Sequence, residues 1–128
     1  MKTNYKLALT LLVGAAIGAA AIQGLHAQAK PKAYLITETE TLDAAALEAY
    51  RPLIRAALKA AGGRALAPPE GRTVALVGEA PKRVGISEWD SLEQAQAYRN
   101  SDAYKNLAMQ RDKALKTVRA YIKEAAAT

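Results

Sequence analysis

No cysteine occurs in the 128-residue sequence, and its single histidine is His26. From residue 30 onward the chain has neither thiol nor imidazole. That excludes a structural disulfide, Ser-His-Asp and Cys-His catalysis, haem ligation through His or Cys, and the usual zinc and copper ligand sets. The carboxylates are dispersed and show no calcium-loop spacing. No glycine-rich phosphate loop is present either, since Gly62-Gly63 follows a helical stretch and reads as its C-cap. The expectation is therefore no metal and no cofactor. The formal charge is +6, but the basic residues are spread along the chain and the tyrosines form no stacking pattern. A phosphate backbone is tracked by clustered Lys and Arg, so nucleic acid is not an expected partner.

Charge is also absent from Leu7 to Ile22, a stretch preceded by Lys2 and Lys6 and followed by Ala27-Gln28-Ala29. A basic start, an apolar middle and a small-x-small end are the three parts of a secretory signal peptide. The uncharged run falls short of the roughly 20 apolar residues a spanning helix needs. Residues 1–29 are thus expected to be a cleaved signal, with an uncleaved N-terminal anchor as the alternative. Contact with a membrane would then come only through that segment. No Arg-Arg pair precedes the run and no cysteine follows it, which removes the twin-arginine route and lipid modification. The expected location is periplasmic or secreted, and residues 30–128 are enough for a single domain with one core.

Within that domain, Ala33 to about Glu40 is rich in β-formers and predicts a strand. Tyr34, Ile36 and Glu38 share one face, and Ala33, Leu35 and Thr37 the other. Leu47, Tyr50, Ile54, Leu58 and Ala61 recur at helical spacing, which predicts a helix over Asp43–Ala61 with Leu53 and Ala57 widening its stripe. Asp43 suits the N-cap and Gly62 the residue past the C-cap. Pro52 predicts a bend or break. Arg51, Arg55 and Lys59 read as a solvated basic face. Arg64–Ala67 predicts a short strand, Pro68-Pro69-Glu70-Gly71 a turn, and Thr73–Val77 a continuation of the extended chain.

Arg83–Trp89 is a further strand, with Val84, Ile86 and Glu88 on one side and Gly85, Ser87 and Trp89 on the other. Asp90 with Glu93, or Ser91 with Gln94, can form a capping box that opens the next helix. Leu92–Tyr98 and Ala103–Leu115 predict two helices, with Tyr104, Leu107 and Arg111 on one stripe of the second. Thr117–Lys123 predicts the last strand. This order is β-α-β-β-α-β, an α+β, ferredoxin-like sandwich. Helices on one face leave the other face of the sheet uncovered, and a second copy of the chain is the expected cover.

Gly62-Gly63-Arg64, Gly78-Glu79, Pro81-Lys82-Arg83, Ile86-Ser87-Glu88-Trp89-Asp90-Ser91-Leu92-Glu93-Gln94-Ala95, Tyr98, Ser101-Asp102-Ala103-Tyr104 and Arg111 occur in register over about Ala33–Tyr121. In this the chain resembles the bacterial family of domain of unknown function 1330. The resemblance implies a homodimeric α/β barrel with a small molecule held between sheet and helices. It names no activity, although relatives in the superfamily include cofactor-free monooxygenases, muconolactone-type isomerases and haem proteins. Pro68-Pro69 stands where members often have a glycine-rich turn, and Trp89 where many have phenylalanine, a change that could narrow a pocket.

The candidate site residues are Tyr34, Arg83, Glu88, Tyr98, Tyr104 and Arg111. Arg111 could hold an anion through its planar fork. Glu88, if desolvated, would have a raised pKa and could act as acid or base, and a tyrosine such as Tyr34 could donate to an enolate oxygen. The plainer reading pairs Arg111 with Glu88 as a buried strut, makes Tyr98 and Tyr104 core rings, and leaves Tyr34 between pocket and dimer contact. The function expected is binding of a small anionic or aromatic molecule. The alternatives are a cofactor-independent isomerase or monooxygenase-like enzyme using Glu88, Tyr34 and Arg111, and a structural or stress-related dimer without ligand.

Overall fold

The computed structural model of the chain describes residues 30–127, so the signal expected over residues 1–29 lies outside the described residues. Four strands and four helices follow in the order β1 (Ala33–Thr41), α1 (Ala44–Ala60), β2 (Arg64–Ala67), β3 (Arg83–Trp89), α2 (Leu92–Arg99), α3 (Asp102–Lys105), α4 (Ala108–Ala114) and β4 (Leu115–Glu124). The sheet order is β2-β3-β1-β4, antiparallel throughout. This is the ferredoxin-like α+β fold expected from the order of elements, with three short helices standing for the second crossover.

The caps explain where α1 begins and ends. Asp43 Oδ1 accepts the Ala46 N–H at 2.9 Å. At the far end Gly62 turns to a φ of 95°, its N–H donates to the Lys59 carbonyl at 3.1 Å, and the Gly63 N–H donates to Leu58 at 3.0 Å. That pair of bonds is a Schellman closure, and the left-handed residue within it has to be glycine. The break expected at Pro52 is absent, and α1 runs through it. Pro52 and Glu48 are both exposed, so the carbonyl that loses its helical donor can meet water instead. Leu53 also faces solvent rather than widening the apolar stripe.

Of the two possible capping pairs at α2, Ser91 with Gln94 is the one that forms. Ser91 Oγ accepts the Gln94 N–H at 3.1 Å, and Gln94 Oε1 accepts the Asp90 N–H at 2.8 Å, one residue beyond the usual reciprocal bond. The single helix expected over Ala103–Leu115 is instead α3 and α4, separated at Asn106-Leu107, and β4 starts earlier than Thr117, at Leu115. The largest departure is Thr73–Val77, which forms no strand. β3 is already flanked by β1 and β2, so this β-prone segment finds no free edge beside it. Its Leu76 and Val77 side chains are 93% and 96% exposed.

The two faces of the sheet differ. Ala33, Leu35, Trp89 and Ile122 point toward the helices and meet Ala95, Tyr98, Leu58 and Leu92. Leu47 and Tyr50 of α1 form a second cluster with Ala114 and Leu115. Trp89 is fully buried, stacks on Tyr98 with ring centroids 4.9 Å apart, and donates its indole N–H to Ser87 Oγ at 2.9 Å. A Cβ on Gly63 would lie 2.6 Å from the Trp89 ring, so the glycine lets α1 end directly against the tryptophan. The other face carries cross-strand rows: Arg64, Glu88, Tyr34 and Lys123; then Ile86, Ile36 and Tyr121; then Val84, Glu38 and Arg119.

Candidate functional site

Between the helix-side face of the sheet and α1 lies a cavity of about 180 Å³ that touches both core clusters. Leu35, Leu47, Ile54, Leu58 and Leu115 make its walls apolar. Its charged lining is one-sided: Arg51, Arg55, Arg83, Arg99 and Arg111 against Glu70 alone. The loop after β2 closes one side. Pro69 packs on β3 so tightly that a Cβ on Gly85 would lie 2.9 Å from Pro69 Cγ. The Pro68-Pro69 pair therefore helps to shape the cavity rather than only the loop.

One end is a stack of rings and guanidinium. Arg111 lies over the Tyr104 ring, 3.7 Å from its centroid, and donates from Nη2 to the Tyr104 carbonyl at 2.6 Å. Its Nε donates to the Tyr50 hydroxyl at 3.0 Å, which ties α4 to α1. Arg99 covers the Tyr104 ring at 4.5 Å, and Tyr104 meets Tyr98 edge to face at 5.4 Å. Burial raises the pKa of Tyr50 above the ordinary phenol value, partly offset by the Arg111 hydrogen bond, and burial raises Tyr98 more strongly. Both phenols are therefore neutral donors at physiological pH. The wall offers ring faces and a cation, which suits an aromatic or anionic guest.

The opposite end is built on the row of Arg83 and Thr39, cross-strand neighbours, with Thr117 on β4 beyond. Arg51 reaches this end from α1, and the carboxylate of Glu70 lies 4.0 Å from its Nε. Glu70 also holds Arg55 in a salt bridge. Burial lowers the Arg83 pKa, with nearby Glu70 opposing that shift and Arg51 adding to it. Thr39 Oγ1, Arg51 Nε and Arg83 Nε are all buried and make no hydrogen bond among the described residues.

Of the residues singled out from sequence, Arg83, Tyr98, Tyr104 and Arg111 line this cavity together. Tyr34 and Glu88 do not. They pair across β1 and β3 on the face turned away from the helices, because each is one residue out of phase with the Leu35 and Ser87 that line the cavity. The Arg111–Glu88 strut is absent as well. Glu88 is bound by Arg64 Nε at 3.0 Å and Lys32 Nζ at 3.4 Å. The expected rise in the Glu88 pKa is reversed, since its hydrogen bond to Arg64 lowers the value, with Lys32 adding to the effect. Trp89 does not narrow the cavity and fills the core beside it. Tyr50, Arg51, Thr39 and Glu70 were missed as site residues. Arg51 reads as surface charge from its four-residue spacing with Arg55 and Lys59, and only the fold sets it beside Pro69 and Glu70 in the cavity lining. No group of three or more Asp, Glu, His or Cys residues that could hold a metal ion occurs among the described residues. None of the described helices is long and apolar enough to cross a membrane.

The model of the family described as Domain of unknown function (DUF1330) matches residues 32–125. The chain is also similar in structure to the RPA0582 protein of unknown function from Rhodopseudomonas palustris. The TM-score is 0.60 at 15% identity, over 77% of this chain and 85% of that one. A structure of methylated RPA0582 gives 0.59 at 15% identity, over 76% and 82%. A protein from Chloroflexus aurantiacus J-10-fl, named provisionally as an antibiotic biosynthesis monooxygenase, superposes at only 0.47 with 15% identity, over 76% and 95%. The two RPA0582 likenesses bear on the fold alone. No curated protein sequence matches the chain.

Proposed function

The chain belongs to the DUF1330 family, and for this member we propose an exported, homodimeric protein that binds one small anionic or aromatic molecule between sheet and α1. The observation that carries the reading is the apolar cavity of about 180 Å³ lined by five arginines and a single carboxylate. An engineered apolar cavity of about 150 Å³ binds benzene, so a volume of this order suits one ring or a short alkyl body. The cationic lining then favours a guest that carries negative charge or a π face.

Binding is favoured over catalysis by the placement of the acid–base candidates. Glu88 and Tyr34 lie across the sheet from the cavity, and Glu70, the one carboxylate in its lining, is engaged by Arg55. A general base needs hydrogen-bond reach to the reacting proton, and Glu88 has none here.

The homodimer is supported by the helix-free face, where Ile36, Val84, Ile86 and Tyr121 are neighbours, and by the apolar Val74, Leu76 and Val77 exposed on the loop before β3. Burying such surface in a symmetric pair is favourable at about 25 cal/mol per Å². Export rests on the pattern of residues 1–29. Native mass spectrometry of protein purified from the periplasm of an exporting cell tests the three parts together. A two-copy mass, a mature N-terminus after Ala29 and a retained adduct are expected. A single-copy mass with an intact N-terminus and no adduct would overturn the reading.

A further inference from the structure

We propose that the Arg51–Arg83–Thr39 end of the cavity is a carboxylate subsite, so that the guest is a one-ring or short-chain organic acid with its acid group at that end. This rests on the binding reading above and adds the orientation and chemical class of the ligand.

Three buried polar atoms at this end, Thr39 Oγ1, Arg51 Nε and Arg83 Nε, make no hydrogen bond among the described residues. Two of them are obligate donors, and the threonine hydroxyl can donate as well. Burying such groups without acceptors is unfavourable, so this end of the cavity is chemically specific for an acceptor. The residues are not aligned by chance of surface packing. Thr39 and Arg83 are directly opposite on β1 and β3. Arg51 comes from α1 on the other wall, and all three line the same cavity.

The outer nitrogens are already anchored. Arg51 Nη1 donates to Glu48 at 2.8 Å and Arg83 Nη1 to Thr41 Oγ1 at 3.5 Å, while both Nε atoms are buried. Glu70 is too far to serve as that acceptor: its oxygen lies 4.0 Å from Arg51 Nε and is held by Arg55. With Arg51, Arg55 and Arg83 set against Glu48 and Glu70, this end carries an excess of positive charge. An ionised carboxylate is acceptor-only and matches the planar guanidinium edge, which a neutral amide or alcohol does not. The opposite end differs, because Arg111 already donates to Tyr50 and to the Tyr104 carbonyl. The organic body therefore lies toward the Tyr98 and Tyr104 rings and the acid group away from them.

The test is a calorimetric and NMR titration of the purified protein with phenylacetate, its neutral isostere phenylacetamide, and ethylbenzene. Phenylacetate is expected to bind at least tenfold more tightly than phenylacetamide. Arg83→Met and Arg51→Met should each bring that ratio toward one by weakening phenylacetate several-fold more than phenylacetamide. Arg51 sits on α1 outside the sheet, so Arg51→Met keeps the test open if Arg83→Met, within β3, does not fold. Equal affinity for acid and amide in the unaltered protein, or a preference that survives both substitutions, would overturn the subsite while leaving the cavity reading intact. Failure of all three probes to perturb Tyr98 or Tyr104 would overturn the cavity reading itself.

Discussion

The two faces of this one sheet solve opposite problems with neighbouring residues. Toward the helices, β1 presents Ala33, Leu35, Thr37 and Thr39, so that a packed core at the Trp89 end gives way to a cavity ending at Arg83. Away from the helices the same strand presents Tyr34, Ile36 and Glu38, with Glu88, Ile86 and Val84 beside them. On the first face the Nε atoms of Arg51 and Arg83 are buried without a hydrogen bond among the described residues. On the second face charge is neutralised within the chain: Arg119 grips Glu38 with two hydrogen bonds of 3.0 and 2.8 Å, and Arg64 and Lys32 hold Glu88. Paired charge on a sheet face is compatible with a like surface docking on it; buried guanidinium N–H groups without acceptors favour an anionic ligand.

The contrast breaks most visibly at Trp89. Trp89→Ala removes the largest fully buried side chain and should cost about 3–5 kcal/mol, read as a lowered denaturant midpoint. Ile36→Lys acts on the other face. It should convert a two-copy mass into a single-copy mass by light scattering while the isolated protomer keeps its helical and strand signature. A protomer unfolded by Ile36→Lys to the same degree as by Trp89→Ala would erase the distinction between the faces. Arg111→Met sharpens it from within the cavity. The Tyr50 hydroxyl and the Tyr104 carbonyl would each lose a charged donor, an expected loss of about 1–3 kcal/mol by chemical denaturation. Arg111→Lys should recover little, since a point ammonium cannot both fork to two acceptors and stack on the ring.

The smallest effect concerns pH. The Arg119 hydrogen bond holds Glu38 below the usual carboxylate range, as Arg64 does Glu88. A depressed folded-state pKa contributes stability that is present above the unfolded-state value of about 4.3 and lost as pH falls through the folded value. Glu38→Gln should therefore lower stability at neutral pH and flatten its decline on acidification, measured by urea unfolding across the acid range. Glu88→Gln should do so less, because the Glu88 side chain is 19% exposed against 9% for Glu38. An unchanged acid limb in Glu38→Gln would show that the bidentate pair contributes nothing to folding.

Much of the architecture was readable residue by residue. Alternation placed the two faces of β1 and β3 correctly, helical spacing found α1, and Asp43, Gly62 and Ser91 marked helix ends, because each of these is a local preference of the backbone. The site was half readable. Arg83, Tyr98, Tyr104 and Arg111 belong to the cavity, yet Glu88 was assigned to it although its own alternation puts it on the opposite face from Ser87.

By itself the sequence determined the order of elements, the phase of each strand and the absence of thiol and imidazole chemistry from residue 30 onward. Only the tertiary structure decided that Thr73–Val77 finds no strand partner, that Arg111 bonds to Tyr50 rather than Glu88, and that Pro69 closes over Gly85 beside Arg51 and Arg83. The physical reason is range. Caps and alternation act over a few residues, whereas an edge, a salt-bridge partner and a cavity wall are set by which distant segments meet, and that follows from burying the whole core at once.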